Sequence, residues 1–281
     1  MIISGESRHR FITSDTGTKS ILEMDENGSI TWSIPTAGNV FDLWMLPDNT
    51  ILYCHYGRGC DGVSIVDRQG GVLFRYTCQD EVFGCQPLEN GNILLGELKT
   101  KLMKEINRKG EVIQEIPLTA DCGQHEVMRA IRRTKFGNYV VSPGTKTIRK
   151  YDGAGRILKE YATHPHTFGM VQKDNGNIIY SHMEGLTEIN EEGIEVWTLR
   201  TEDVPEIQIK WILGFQLLPN GNLVAANWLG HSQNEMGVPI FEVSPDKKIV
   251  WSCDCRYITR EPCTLMLLDD DIRRTCYVPC R

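Results

Sequence analysis

Seven histidines punctuate this chain of 281 residues, and six of them, His55, His125, His164, His166, His182 and His231, stand in or beside irregular stretches that read as loops. Imidazole is the side chain whose ordinary pKa puts its proton within reach near neutral pH, and neutral imidazole also ligates cations. Carboxylates at Asp15 and Glu97, an amide at Asn227, a guanidinium at Arg129 and an indole at Trp228 fall in comparable stretches. Imidazole with carboxylate and amide suits either a divalent cation or a general base held by a neutral partner. On that chemistry His55 and His182 are candidate catalytic bases, and Glu97 and Asp15 candidate cation ligands. Asn227, Arg129, Trp228 and His166 are candidate contacts to an anionic or ring-shaped ligand. Each alone is an ordinary loop residue. Whether they form a site depends on the elements that carry them.

Those elements repeat. An apolar run, a polar tip and a second apolar run recur as LWMLPDNTILYC at 43–54, QPLENGNILLGE at 86–97, AIRRTKFGNYVVS at 130–142, MVQKDNGNIIYSH at 170–182 and FQLLPNGNLVAAN at 215–227, with a weaker TLMLLDDD from Thr264. Five of these are followed, and the sixth is answered from the chain's start, by a second strand–turn–strand phrase, as in ILEMDENGSITWSI at 21–34 and SIVDRQGGVLFRY at 64–76. The second turns fall at Gly28, Gly70, Gly110, Gly155, Gly193 and Lys247. Two hairpins per repeat make four antiparallel strands, which is one propeller blade. Six repeats of about 44 residues need about 264 positions and seven about 308, so the length selects six. The whole chain, 1–281, reads as one all-β domain, a six-bladed β-propeller. RFITSD and the hairpin at 21–34 supply strands two to four of the first blade, and the stretch near 264–268 its first strand. Both termini then share one blade and leave no open edge in the ring. Residues 272–281 have no place in this scheme.

In such blades the turns within the two hairpins emerge on one face, and the remaining connections on the other. The hairpin turns here are short, whereas HYGRGCDG (55–62), LTADCGQHE (118–126), RTEDVPEIQIKW (200–211) and NWLGHSQNEMG (227–237) are long. Long loops on a rigid frame carry function. The second strands end at Asp15, His55, Glu97, Pro143, His182 and Asn227, so these side chains are expected to surround one central funnel. Phe41, Trp44, Tyr56, Phe168, Trp211 and Trp228 fall near the same mouth, whereas Trp32, Trp197 and Trp251 sit on fourth strands and read as structural.

Composition narrows the function classes. With 41% hydrophobic and 24% charged residues the chain can bury a proper core. A net charge of −7 argues against nucleic acid and anionic membranes as partners. No apolar run approaches the ~20 residues of a membrane-spanning helix. The start, MIISGESRHRF, lacks the pattern of a secretory leader, which favours a cytoplasmic, reducing compartment, with a secreted form open if a leader was removed. The ten cysteines are accordingly expected to be mostly thiols packed in sheet rather than disulfides or a metal cluster.

The fourth-strand phrases GSITWSI, GIEVWTL and KKIVWSC resemble the repeats of quinoprotein-like (PQQ-like) propellers. WSIPTAGNVFDLWMLPDNTILYCHY at 32–56 resembles the six-bladed aryl-sulfotransferase-like propellers. The latter likeness implies funnel histidines and an arginine, types matched by His55, His182 and Arg129. A quinone is not expected, because quinoprotein dehydrogenases resemble eight-bladed rings. Six-bladed lactonases hold a cation with residues of the types of Glu97, Asn227 and Asp15, and streptogramin-lyase-like propellers pair a cation with a funnel histidine, for which His55, Glu97 and His182 are suited. The residues and the likeness together point to a small polar or carbohydrate-like ligand and histidine-based, metal-assisted hydrolase, lyase or transferase chemistry. The competing class is a non-catalytic scaffold presenting the long loops to a protein partner.

Overall fold

A computed structural model describes residues 2–5, 7–57, 59, 61–79, 81–118, 128–231, 236–259 and 261–270. The sheets form six antiparallel blades, and the first joins Pro262–Leu267 to Phe11–Asp15, Ser20–Met24 and Ile30–Pro35. The other inner strands, where each blade begins at the axis, are Leu43–Met45, Val82–Pro87, Ile131–Arg133, Met170–Gln172 and Trp211–Leu217. The second strands end at Asp15, His55, Glu97, Gly144, His182 and Trp228, within one residue of the ends read from sequence. No helix among the described residues is long and apolar enough to cross a membrane.

The outer hairpins share one turn chemistry. Asp25, Asp67, Asn107, Asp152 and Asn190 each accept backbone N–H bonds from the second and fourth residues beyond through a single side-chain oxygen. Three residues beyond each stands Gly28, Gly70, Gly110, Gly155 or Gly193, with φ between 77° and 87°, a region where a Cβ is costly. In the sixth blade Ser244 and Lys247, with φ 63°, take these places.

The core is divided among the blade interfaces, and six apolar clusters each combine residues of two neighbouring blades. Polar pegs cross the same interfaces. Trp32 Nε1 donates to the Arg68 carbonyl at 2.6 Å and Trp197 Nε1 to that of Pro245 at 2.9 Å, the structural role expected of these indoles. Nearer the axis Trp44 Nε1 donates to the Cys85 carbonyl at 2.7 Å, and Gln216 Oε1 accepts from Leu267 N at 2.8 Å. Cys54, Cys78, Cys85, Cys253, Cys255 and Cys263 are buried free thiols; Cys60, Cys122, Cys276 and Cys280 lie outside the described residues.

One blade departs from the four-strand expectation. Ile2–Gly5 pairs with Ile249–Asp254 and adds a fifth, outermost strand to the sixth blade. His9 follows it, with Nδ1 2.6 Å from Asp269 and Nε2 2.8 Å from Glu242, fastening the sixth blade to the two terminal segments of the first. Residues 272–281, unassigned from sequence, lie outside the described residues.

Candidate functional site at the propeller axis

The side chains at the ends of the second strands are held by partners close to their own strands. His55 faces Gly62 across the sheet and His182 faces Gly185, and a Cβ on either glycine would stand 2.0 or 1.8 Å from a carbonyl oxygen of the fourth strand. From those positions His55 Nε2 reaches Ser64 Oγ at 2.9 Å, and His182 Nε2 reaches Thr187 Oγ1 at 3.0 Å. The hydroxyl lies two residues beyond the glycine in both blades. Glu97 follows the same diagonal, with Lys104 Nζ 3.0 Å away and Thr100 Oγ1 donating at 2.9 Å. Asn227 Oδ1 accepts from Lys210 N, its amide donates to the Gln208 and Val238 carbonyls, and Asp15 Oδ1 accepts from the Gly17 and Glu261 amides. These side chains are buried, and the partners named belong to their own blade or the loop feeding it. These bonds stitch the second strand to its surroundings, blade by blade, and none of them joins one of the expected funnel residues to another.

The axis itself holds a cavity of about 760 Å³. It runs from Phe41, Arg129 and Phe168, at the long-loop ends of the inner strands, to Lys135, Asp174 and Pro219 at the short hairpin turns. Of the eight site candidates read from sequence, Arg129 alone lines it. The Arg129 guanidinium carbon stands 4.7, 4.8 and 5.3 Å from the ring centres of Phe41, Phe83 and Phe168, three rings from three blades. Such faces attract a cation and hold the guanidinium between them. Outside the lining the ring contacts continue from Phe168 to Trp211 at 6.1 Å and from Trp211 to Trp228 at 4.9 Å. Tyr56 stacks on Phe41 at 5.3 Å. His166, held at φ 62°, lies against Phe168 at 6.3 Å, behind the cavity wall.

Deeper in the cavity Arg132 forks onto Asp42, with nitrogen–oxygen distances of 2.7 and 3.2 Å. Burial raises the Asp42 carboxyl above its ordinary value, against the opposing charge of Arg132. Lys135 pairs with Asp174 at the short-turn end, and Lys173 with Glu188. Four cations and two carboxylates thus line the cavity. Asp42, Arg132, Lys135 and Lys173 went unnoticed in the sequence. Their signal was there: AIRRTK puts three cations on and beside an inner strand whose counterparts are mostly apolar.

Two histidine clusters lie elsewhere on the long-loop side. His231, its side chain 79% exposed, has Nδ1 3.2 Å from Glu261, and Thr16 Oγ1 holds that carboxylate at 2.7 Å. Trp228 meets the His231 ring edge-on at 4.9 Å. Buried Cys263, two residues from Glu261, donates to the Glu261 carbonyl at 3.4 Å, and burial pushes its thiol up to about 12. The second cluster is His164, His182 and Glu184, the one group of three among the described residues with cation-ligating geometry. It contains neither Glu97 nor Asp15. Burial, with help from the charges of His164 and Arg200, lowers His182 to about 3, so its ring stays neutral. His125 lies outside the described residues.

Fold and axial cavity together define the class: a six-bladed β-propeller closed by its own termini. The chain is similar to a protein of unknown function from Bacteroides caccae, with a TM-score of 0.82 and 21% identity over 94% of this chain and all of that one. It is also similar to a streptogramin B lyase, with a TM-score of 0.62 and 14% identity over 89% of this chain and 86% of that one. A third likeness is to a catalytically inactive histidine-to-alanine variant of virginiamycin B lyase from Staphylococcus aureus with quinupristin, at 0.58 and 13% over 89% and 98% of the two chains. No protein-family model and no curated protein matches the chain. At these identities the likeness is one of fold.

Proposed function

We propose that the protein binds a small anionic, ring-bearing molecule, such as an acidic sugar, in the axial cavity. One observation carries this reading: Arg129, Arg132, Lys135 and Lys173 line the cavity while Asp42, Asp174 and Glu188 pair the last three, which leaves the group with one positive charge in excess in a chain whose net charge is −7. A net positive cavity in an acidic protein favours anions there over the rest of the surface. Arg129 brings a positive charge to the cavity that would favour a carboxylate or sulfate, and Phe41 and Phe168 of the lining offer a face for a ring. An anion-binding arginine in the funnel also agrees with the aryl-sulfotransferase-like reading of the repeats.

Thermal-shift and calorimetric titration with glucuronate, galacturonate and benzoate, against neutral sugars as controls, tests the proposal. Anions should bind and neutral sugars should not. Arg129→Gln should weaken the best anion about thirty-fold, the equivalent of about 2 kcal/mol for a charge-assisted hydrogen bond. Indifference to the whole panel would favour the scaffold reading.

A second reading is catalytic, and the His231–Glu261 pair favours it. A carboxylate on Nδ1 orients the ring and leaves Nε2 as a base at the exposed mouth. The streptogramin and virginiamycin lyases show that this fold accommodates lyase chemistry. His231→Gln should then abolish turnover of a bound ligand while changing its affinity less than about threefold. Equal turnover in the variant rejects His231 as the base.

A further inference from the structure

We propose that His164, His182 and Glu184 form a divalent-cation site on the fifth blade, separate from the axial cavity and of the kind that takes zinc. The three residues come from different elements: the connection entering the blade, the end of its second strand and the turn that follows. One ligand atom from each lies within 4.8 Å of the others. The rings of His164 and His182 stack at 4.5 Å with 20° between their planes, and neither is part of the cavity lining.

The hydrogen bonds around the rings decide which nitrogens are available. His182 Nδ1 accepts the Glu184 backbone N–H at 3.2 Å, so this nitrogen carries a lone pair. The ring proton of His182 then sits on Nε2 and is given to Thr187 Oγ1. His164 Nε2 lies 2.8 Å from Glu195 Oε1, and a carboxylate can only accept, so the proton of that ring is on Nε2 as well. In both rings Nδ1 is left as the donor atom, backed by a partner on the opposite nitrogen. Metal-binding histidines are oriented in this way. A cation would replace the single N–H that now faces His182 Nδ1.

Ligands about 2.1 Å from a tetrahedral ion stand about 3.4 Å apart. Closing the site therefore takes at most about 1.4 Å, and the exposed Glu184 side chain can swing to do so. Beside it lies a polar pocket of about 420 Å³ lined by Glu184, Arg200, Thr201 and Glu202. A bound ion would keep its fourth position toward that pocket, open to water or to an anion paired with Arg200. Two imidazoles and one carboxylate suit zinc or cobalt better than magnesium or calcium, which favour oxygen-only shells.

The test is titration of the chelator-treated full chain with Co²⁺ and then Zn²⁺, followed by calorimetry and absorption. One equivalent should bind without an intense thiolate-to-metal band, since the ten cysteines offer a competing route that such a band would reveal. His164→Gln and Glu184→Gln should each weaken binding at least tenfold. Glu195→Gln, which disturbs only the orientation of His164, should cost about tenfold. Glu184 is exposed, so its variant should fold even if a histidine variant does not. Binding that carries a thiolate band, that is unchanged in Glu184→Gln, or that is absent in the parent protein would overturn the proposal.

Discussion

His9 shows how much one side chain can carry in this ring. It is the histidine outside the long-loop set, it is buried, and both of its nitrogens meet carboxylates. Burial works against its charged form, but the hydrogen bonds and charges of Asp269 and Glu242 overcome that and raise its pKa from 6.5 to about 9. A raised pKa means that the folded state holds the proton more tightly than the unfolded one. The stabilisation is complete below pH 6.5 and is lost as pH rises through about 9. Its full size is up to about 3 kcal/mol. Glu242 acts in the opposite direction: its lowered pKa gives stability that disappears as pH falls through the carboxylate range. Urea midpoints should therefore fall steadily between pH 6.5 and 9 in the parent protein and stay nearly level in His9→Gln. A parent midpoint that does not move across this window would show that the charged clamp does not form.

At the scale of elements, the strand Ile2–Gly5 is an edge cover. It covers the outer edge of Ile249–Asp254, the strand that carries buried Trp251, and Ile3 packs onto the core between the sixth and first blades. Gly5 has φ 100°, and a Cβ there would lie 2.1 Å from the Val250 carbonyl oxygen. Removing residues 1–6 should cost about 2 kcal/mol, lowering the melting temperature of a domain this size by roughly 3–4 °C. It should also promote self-association, because an uncovered edge is a template for pairing. Gly5→Ala should reproduce the thermal loss. Light scattering and a thermal melt check both; a variant that melts with the parent and stays monodisperse would show the strand to be an ornament.

At the scale of the whole molecule, closure is what makes the six interfaces one folding unit. Pro262–Leu267 pairs with Phe11–Asp15 across almost the full length of the chain. Leu265 and Leu267 enter the core shared with the sixth blade, and Met266 the core shared with the second. Deleting residues 262–281 opens the ring, strips two interfaces and leaves the inner edge of the first blade unpaired. The truncated chain should lose its cooperative transition and aggregate. If it melted cooperatively at the parent temperature, closure would be dispensable.

Fold, blade count, turn positions and closure were legible in the residues because a propeller is built from local signals. Each hairpin states its own turn, as Asp25 with Gly28 and Asn190 with Gly193 do, and the period repeats the statement six times. The ends of the second strands were legible to within a residue for the same reason. Where their side chains point was not. Equivalent positions on six blades are related by a rotation about the axis, which sends them inward or sideways with equal regularity, and periodicity cannot tell the two apart. Tyr53–His55 with Gly62-x-Ser64, repeated as Tyr180–His182 with Gly185-x-Thr187, was the available hint that these histidines serve the blade. Arg129 was named because the aryl-sulfotransferase-like resemblance implies a funnel arginine, whereas the meeting of Asp42 with Arg132, of His231 with Glu261 and of His164 with His182 depends on how distant segments pack. That is a long-range packing outcome. The sequence by itself determined the frame, and only the tertiary structure decided which side chains meet.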